Sequence, residues 1–239
     1  MAVPGPAARL IVASLPRPGE SASLEAGEAA HARALRLQPG DRVVLLDGSG
    51  RVAEAVVRVS EPGTLEVAVE AWRETSEDLP QVTILVCGVR PERLDWIAEK
   101  ATELGASRIV LVVSERVQSF RADPSRIARM EKVARAAAKQ SESARWPEIA
   151  GPVDFERALS VSAANRFLLD PSGEPFPKAL EPGAAALLVG PEGGWSDAER
   201  TLSVDRGWKT ISLPAGKLRS ETAAVAGLTL LRSVLGRGR

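Results

Sequence analysis

Residue types able to hold a ligand through the backbone gather in two stretches of this chain. Gly190-Pro191-Glu192-Gly193-Gly194 follows Ala184 to Val189, an unbroken apolar run of the kind a parallel strand shows when both faces are buried. Glycines let backbone N–H and C=O groups reach a ligand with no Cβ in between. Ser196 and Glu199 then have capping-box spacing, so a helix starts directly after the loop. The second stretch, Pro214 to Thr222, leaves the strand-like Thr210-Ile211-Ser212-Leu213 and enters an apolar helix, Ala223 to Leu235. Open parallel sheets bind ligands beyond the carboxyl ends of their strands, so two such loops on one edge make a pocket. Asp170-Pro171-Ser172-Gly173, after the strand Phe167 to Asp170, adds a third glycine-bearing loop. Glu192 and Glu221 are the loop carboxylates, and each also suits a helix N-terminus. Arg219 does not suit one, because a cation there opposes the helix dipole, and this points to a functional role.

The elements that must carry these loops fall in two regions. Up to about Trp72 the chain has short β-branched runs: Arg9 to Val12, Arg42 to Leu46, Val52 to Val59 and Leu65 to Val69. Turn signals at Pro39-Gly40-Asp41, Asp47-Gly48 and Pro62-Gly63 separate them, with one helical patch from Ala26 to Leu35. A small β-barrel over residues 1–72 is expected, then a polar linker over 73–80. Residues 81–239 alternate strands and helices: Val82 to Cys87, a helix from Pro91 to Gly105, Ile109 to Val113, and a long helix from Pro124 to Ser141. Ile127, Met130, Ala134 and Ala137 form the apolar face of that long helix. Arg126, Arg129, Lys132, Arg135 and Lys139 form a basic stripe opposite, whose plain alternative is a solvated face.

Composition narrows the classes. The 239 residues carry no formal net charge, yet Arg116 to Arg145 holds eight basic residues, Arg121 and Arg145 among them, against three acids. That clustering points to an anionic partner. One cysteine, Cys87, excludes an internal disulfide and leaves too few soft ligands for a metal site, which fits a reducing, cytoplasmic setting. No apolar run approaches the roughly 18 residues that span a bilayer. No G-x-G-x-x-G, Walker lysine loop or G-x-S-x-G is present, and the second region has no histidine to serve a triad.

Together these residues resemble the SPOUT-class methyltransferases that make N3-methyluridine in small-subunit ribosomal RNA. Gly190 to Gly194 with Glu199, and Leu218-Arg219-Ser220-Glu221-Thr222-Ala223, look like the two C-terminal motifs of that family. The likeness extends through Lys100 to Gly105, Glu115-Arg116, Lys139-Gln140-Ser141 and Pro147-Glu148-Ile149. His31 with Ala34-Leu35-Arg36 and Gly40-Asp41 resembles the family's N-terminal PUA-like barrel motif. The chain departs from the pattern at Pro214, Gly216 and Lys217, and at Glu142-Ser143, where the family tends to have Gly-Arg. The resemblance implies an α/β trefoil-knotted SPOUT domain behind a PUA-like small β-barrel, acting as a homodimer on 16S ribosomal RNA within the small subunit. It implies S-adenosylmethionine held among Leu169, Asp170, Gly190, Pro191, Glu192, Gly193, Gly194, Ser212, Leu213, Leu218, Thr222 and Ala223, with no metal. Arg219 and Glu221 are the implied catalytic residues, with the acceptor of the N3 proton open among Glu192, Glu221 and solvent. RNA contacts are implied at His31, Arg33, Arg36, Arg116 and Arg145 and along the basic stripe.

Overall fold

The computed structural model describes residues 7–75, 79–117 and 123–236. The chain divides into two compact units, Met1–Glu77 with Ala138–Arg145, and Asp78–Ala137 with Trp146–Arg239. Arg121, residues 76–78 of the expected linker and the terminal 237–239 lie outside the described residues.

The first unit contains β1 (Ala8–Ile11), β2 (Ser21–Ser23), α1 (Ala26–Ala34), β3 (Arg42–Leu46), β4 (Arg51–Glu61) and β5 (Thr64–Glu74). They form one sheet in the order β1-β3-β4-β5-β2, parallel only between β1 and β3. Alternation builds its core: Val43, Leu45, Ala53, Ala55, Val57, Leu65, Val67 and Val69 point one way, and Ala29 and Ala32 of α1 close over them. The sheet has no pairing between β1 and β2 among the described residues, so α1, which touches β1, β4 and β5, covers the core where an expected barrel would close. Two expectations need correction. β5 continues through Arg73 and Glu74 because Arg51 and Val52 pair with them, so the strand occupies the start of the expected linker. β2 was not expected, being three residues of Ser and Ala with no apolar period.

The second unit contains β6 (Val82–Cys87), α2 (Pro91–Glu103), β7 (Arg108–Val113), α3 (Pro124–Gln140), β8 (Glu148–Asp154), α4 (Phe155–Ala158), β9 (Asn165–Pro175), β10 (Ala185–Val189), α5 (Asp197–Asp205), β11 (Lys209–Ser212) and α6 (Ser220–Gly236). The last three residues of α3 cluster with the first unit. All six strands are parallel, in the order β11-β9-β10-β6-β7-β8. Every residue of β10 is buried, as its apolar run requires. Period-two alternation sends Ile84, Val86, Phe167, Leu187 and Val189 to one face, against α2, α3 and α6. Leu85, Cys87, Leu168, Ala186 and Leu188 go to the other, against Phe155, Trp195 and Trp208.

The strand order places the site. β6 connects onward to β7 on one side, while its neighbour β10 connects to β11 on the other. The two connections diverge and leave a crevice above the carboxyl ends of β6 and β10. Two further corrections bear on that edge. Asp170 to Gly173 is not a loop: β9 runs through it to Pro175, with a register shift where Ile211 pairs with Glu174. A Cβ on Gly173 would stand 2.6 Å from the backbone nitrogen of Ile211, so the two strands approach this closely only with glycine there. α6 begins at Ser220, three residues before Ala223, because Ala223 N–H already donates to Arg219 C=O at 2.8 Å. β8 and α4 were also not expected; Gly151 and Pro152 interrupt the strand pattern.

Candidate active site

A cavity of about 1080 Å³ opens at this edge. Its wall is made by Gly88 to Arg93 after β6, Leu169 to Ser172 within β9, Val189 to Trp195 from the end of β10, and Leu213 to Ala223 after β11, with Arg200 of α5.

Side chains lock these segments to one another. Trp195, 1% exposed, donates its indole N–H to Leu169 C=O at 2.8 Å and thereby ties the β10 loop to β9. Gly190 makes room for that ring, since a Cβ there would meet Trp195 at 2.8 Å. Ser220, buried at the start of α6, donates its hydroxyl to Gly190 C=O at 2.7 Å and joins the loop after β11 to the loop after β10. Glu199 completes the capping box with Ser196 and also accepts from Glu115 N–H at 2.9 Å, which brings the segment after β7 to the same edge. From that segment Arg116 donates to Gly193 C=O at 2.8 Å.

Asp170 is 5% exposed and accepts from Ser172 N–H at 2.9 Å, the Ser172 hydroxyl at 2.7 Å and Arg200 Nε at 2.9 Å. Burial raises its pKa, but these hydrogen bonds and the Arg200 charge outweigh burial and leave the carboxyl below the ordinary aspartate range. Glu221 is also buried, with its side chain 9% exposed and Oε1 3.4 Å from Arg93 Nε. Arg219 and Glu192 are exposed residues of the cavity wall. Cys87, at the end of β6, is fully buried; burial and then the charge of Glu199 push its thiol well up, so it offers no nucleophile.

Of the residues expected to hold a cofactor, Leu169, Asp170, Gly190 to Gly194, Leu213, Leu218 and Ala223 line the cavity. Ser212 and Thr222 do not: Ser212 donates its hydroxyl to Glu174 C=O at 3.2 Å, and Thr222 is exposed on α6. Both expected catalytic residues, Arg219 and Glu221, line it. Arg90, Arg93, Trp195 and Arg200 belong to the wall as well and were not expected. The Gly88-Val89-Arg90 turn after β6 was the available signal, being one more glycine at a strand end.

The expected RNA contacts lie in both units. In the first, His31 is half-buried in α1, while Arg33 and Arg36 are exposed. Arg145 is exposed and its guanidinium lies over Gly50. Lys139 is held at 2.9 Å by Glu28. In the second unit Asp95 takes Arg129 at 2.5 Å and Arg126 at 3.8 Å, and Arg135 stacks 6.0 Å from the centre of the Trp146 ring. Lys132 is exposed and has no ion pair among the described residues. The stripe is therefore partly neutralised. At the departure from the family pattern, Glu142 has φ +59° and pairs with Arg9 at 3.1 Å.

A parallel sheet with a glycine-lined crevice at its switch point defines an α/β ligand-binding class, and comparison with known proteins makes it specific. Residues 76–232 match the RNA methyltransferase domain family and residues 24–70 the RNA methyltransferase PUA domain. The ribosomal RNA small subunit methyltransferase E of Mycobacterium bovis is 32% identical over 91% of this chain and 88% of its own length. A probable rRNA-methyltransferase from Porphyromonas gingivalis superposes with a TM-score of 0.85 at 26% identity, covering 97% of this chain and all of that one. The methyltransferase E of Neisseria gonorrhoeae, solved bound to S-adenosyl methionine, superposes at 0.84 with 24% identity, covering 95% of this chain and 97% of that one. The chain belongs to the RNA methyltransferase family that contains these ribosomal RNA small subunit methyltransferases E.

Proposed function

We propose that this protein methylates N3 of a uridine in 16S ribosomal RNA of the small subunit, using S-adenosylmethionine, as a cytoplasmic homodimer. The observation that carries the reading is the cavity at the β6/β10 crevice, whose walls are cross-tied by Trp195, Ser220 and Arg116 around a glycine loop. The fit to a nucleoside cofactor is good on this chain's own geometry. Gly194 has open space where a Cβ would stand, and the cavity volume exceeds what one small molecule needs, roughly 300–1,000 Å³.

When bound, S-adenosylmethionine supplies an electrophilic methyl group. The protein's tasks are to align the uracil with it and to favour loss of the N3 proton. Alignment alone can supply several kcal/mol of the barrier. Arg219, exposed on the cavity wall, is assigned to the ring oxygens on which negative charge develops, acting as a preorganised donor. Glu221 faces Arg93 and is assigned to positioning rather than to taking the proton. Glu192 is then the exposed loop carboxylate facing the cavity. The target base must leave any stack to arrive there. Residues 1–72 and the Lys132 side of α3 hold the RNA backbone in this reading. We also assign residues 81–239 to a trefoil knot, supported by β10 lying between β9 and β6 and by α6 packing on α2, β6 and β10.

The test is methyl transfer from labelled S-adenosylmethionine to small subunits lacking the modification, followed by nucleoside analysis. N3-methyluridine is the expected product. Tight RNA binding with no transfer would make the protein a non-catalytic RNA-binding or assembly module instead.

A further inference from the structure

The start of α2 carries a feature that methyl transfer alone does not use. Arg90 is the N-cap residue of α2 and Arg93 lies in its first turn, and both line the cavity. No side chain caps this helix start. Cations at a helix N-terminus oppose its dipole, so these two arginines cost stability where they stand. Buried Val89 and Leu94 anchor the segment that carries the two arginines in the cavity wall. Glu221 meets only the Nε edge of Arg93, at 3.4 Å, and the side chain is 45% exposed. Among the described residues no protein group accepts from the terminal nitrogens of Arg93, and none pairs with the guanidinium of Arg90 or Arg219. Arg90, Arg93 and Arg219 thus share the cavity wall with Arg200, which Asp170 holds at 2.9 Å, and with the carboxylates of Asp170, Glu192 and Glu221.

We infer that Arg90 and Arg93, with the N-terminus of α2, clamp a phosphodiester of the RNA nucleotide whose base enters the cavity. The inference rests on the methyltransferase reading. Its physical content is separate: any nucleotide drawn from an RNA strand brings a phosphate with its base, and Arg90 and Arg93 are exposed cationic residues of the cavity wall. A guanidinium whose Nε is already held presents its other two nitrogens as a planar fork, which matches two phosphate oxygens. The helix N-terminus favours the same charge. Glu221 is on this account a positioning residue that sets the angle of the fork.

The test uses the full chain loaded with S-adenosylhomocysteine and titrated calorimetrically with uridine 3′,5′-bisphosphate and with uridine. The bisphosphate is expected to bind at least tenfold tighter than uridine, and Arg90→Gln and Arg93→Gln are each expected to remove most of that advantage. Equal affinity of the two ligands for the unaltered protein, or an advantage that survives both substitutions, overturns the clamp. Arg93→Gln leaves Glu221 without its partner and could unsettle the fold, so Arg90→Gln, at an exposed residue with no partner, decides on its own. A loss of S-adenosylmethionine affinity in Arg90→Gln, with the bisphosphate advantage unchanged, would assign the arginines to the cofactor carboxylate and also overturn the proposal. Methylation of small subunits separates the two levels. If the unaltered protein methylates and the variants match it in half-saturating subunit concentration, only the clamp fails. If the unaltered protein transfers no methyl group, the function reading fails while the calorimetric result stands by itself.

Discussion

Arg219 and Asp170 stand in the same cavity and their surroundings assign them opposite work. Arg219 is exposed and its guanidinium has no partner among the described residues. Arg219→Ala should lower the single-turnover methylation rate by ~10²-fold or more, as loss of one oxyanion-type donor does. Melting temperature and S-adenosylmethionine affinity should change little, and Arg219→Lys should restore only part of the rate. Asp170 is buried among Ser172 and Arg200, and its pKa is lowered. Because the folded value lies below the unfolded one, the stabilisation is fully present above the unfolded pKa and is lost as pH falls through the folded pKa. Asp170→Asn should therefore cost about 1–3 kcal/mol at neutral pH, where Arg200 loses a buried charged acceptor. Chemical denaturation across pH should show the gap between variant and parent closing in strong acid, where Asp170 is itself neutral. A gap that stays constant with pH would mean that packing, not charge, is what Asp170 contributes.

Elements show what was legible in the sequence and what was not. Long apolar or strongly periodic segments were legible: β6, β10, α2 and α3 stand within a residue or two of their expected bounds, because burial on both faces or on one stripe leaves a pattern. β2 and β8 were not, since each is held by its neighbours' backbone and not by its own pattern. The glycine loops were legible as pocket walls. Their fastening was not, because Trp195 to Leu169, Ser220 to Gly190 and Arg116 to Gly193 join residues 26 to 77 positions apart, and no local spacing records such pairs. Two glycines of one loop should accordingly fail in different ways. Gly194 has φ +69° and nothing within 4 Å of an added Cβ, so Gly194→Val should weaken cofactor binding through local strain while the melting temperature stays nearly constant. Gly190→Ala should instead displace Trp195 and lower the melting temperature. The basic stripe was legible as charge but not as available charge. With Asp95 and Glu28 engaging Arg129 and Lys139, removal of Lys132 and Arg135 should reduce the slope of log affinity against log salt by up to about two. Removal of Arg129 and Lys139 should reduce it less, and equal reductions would show that RNA displaces the internal carboxylates.

At the scale of the whole molecule, the cavity belongs entirely to one of two units that have separate cores. All of its wall lies between Gly88 and Ala223, in the second unit, while the core around Leu10, Leu45 and Val67 lies in the first. A ligand that binds only the folded second unit stabilises that unit by mass action, by about 2.7 kcal/mol at a free concentration one hundred times Kd. For a unit of this size that is a rise of roughly 5–10 °C in its transition. The first unit depends on Ala138–Arg145 for Lys139 to Glu28 and Arg9 to Glu142, and that segment is continuous with α3, whose first fourteen residues belong to the second unit. Melting the second unit takes that support away, so the first unit should not outlast it. Calorimetry without ligand is thus expected to show the first unit unfolding at or below the temperature of the second. Saturating S-adenosylmethionine should move only the upper transition and widen the gap. If a single transition shifts as a whole, the chain unfolds as one cooperative body and the segment from α3 couples the units more strongly than their separate cores imply. If the lower transition moves and the upper one does not, the cofactor binds in the first unit and outside the cavity formed by the Gly190 loop.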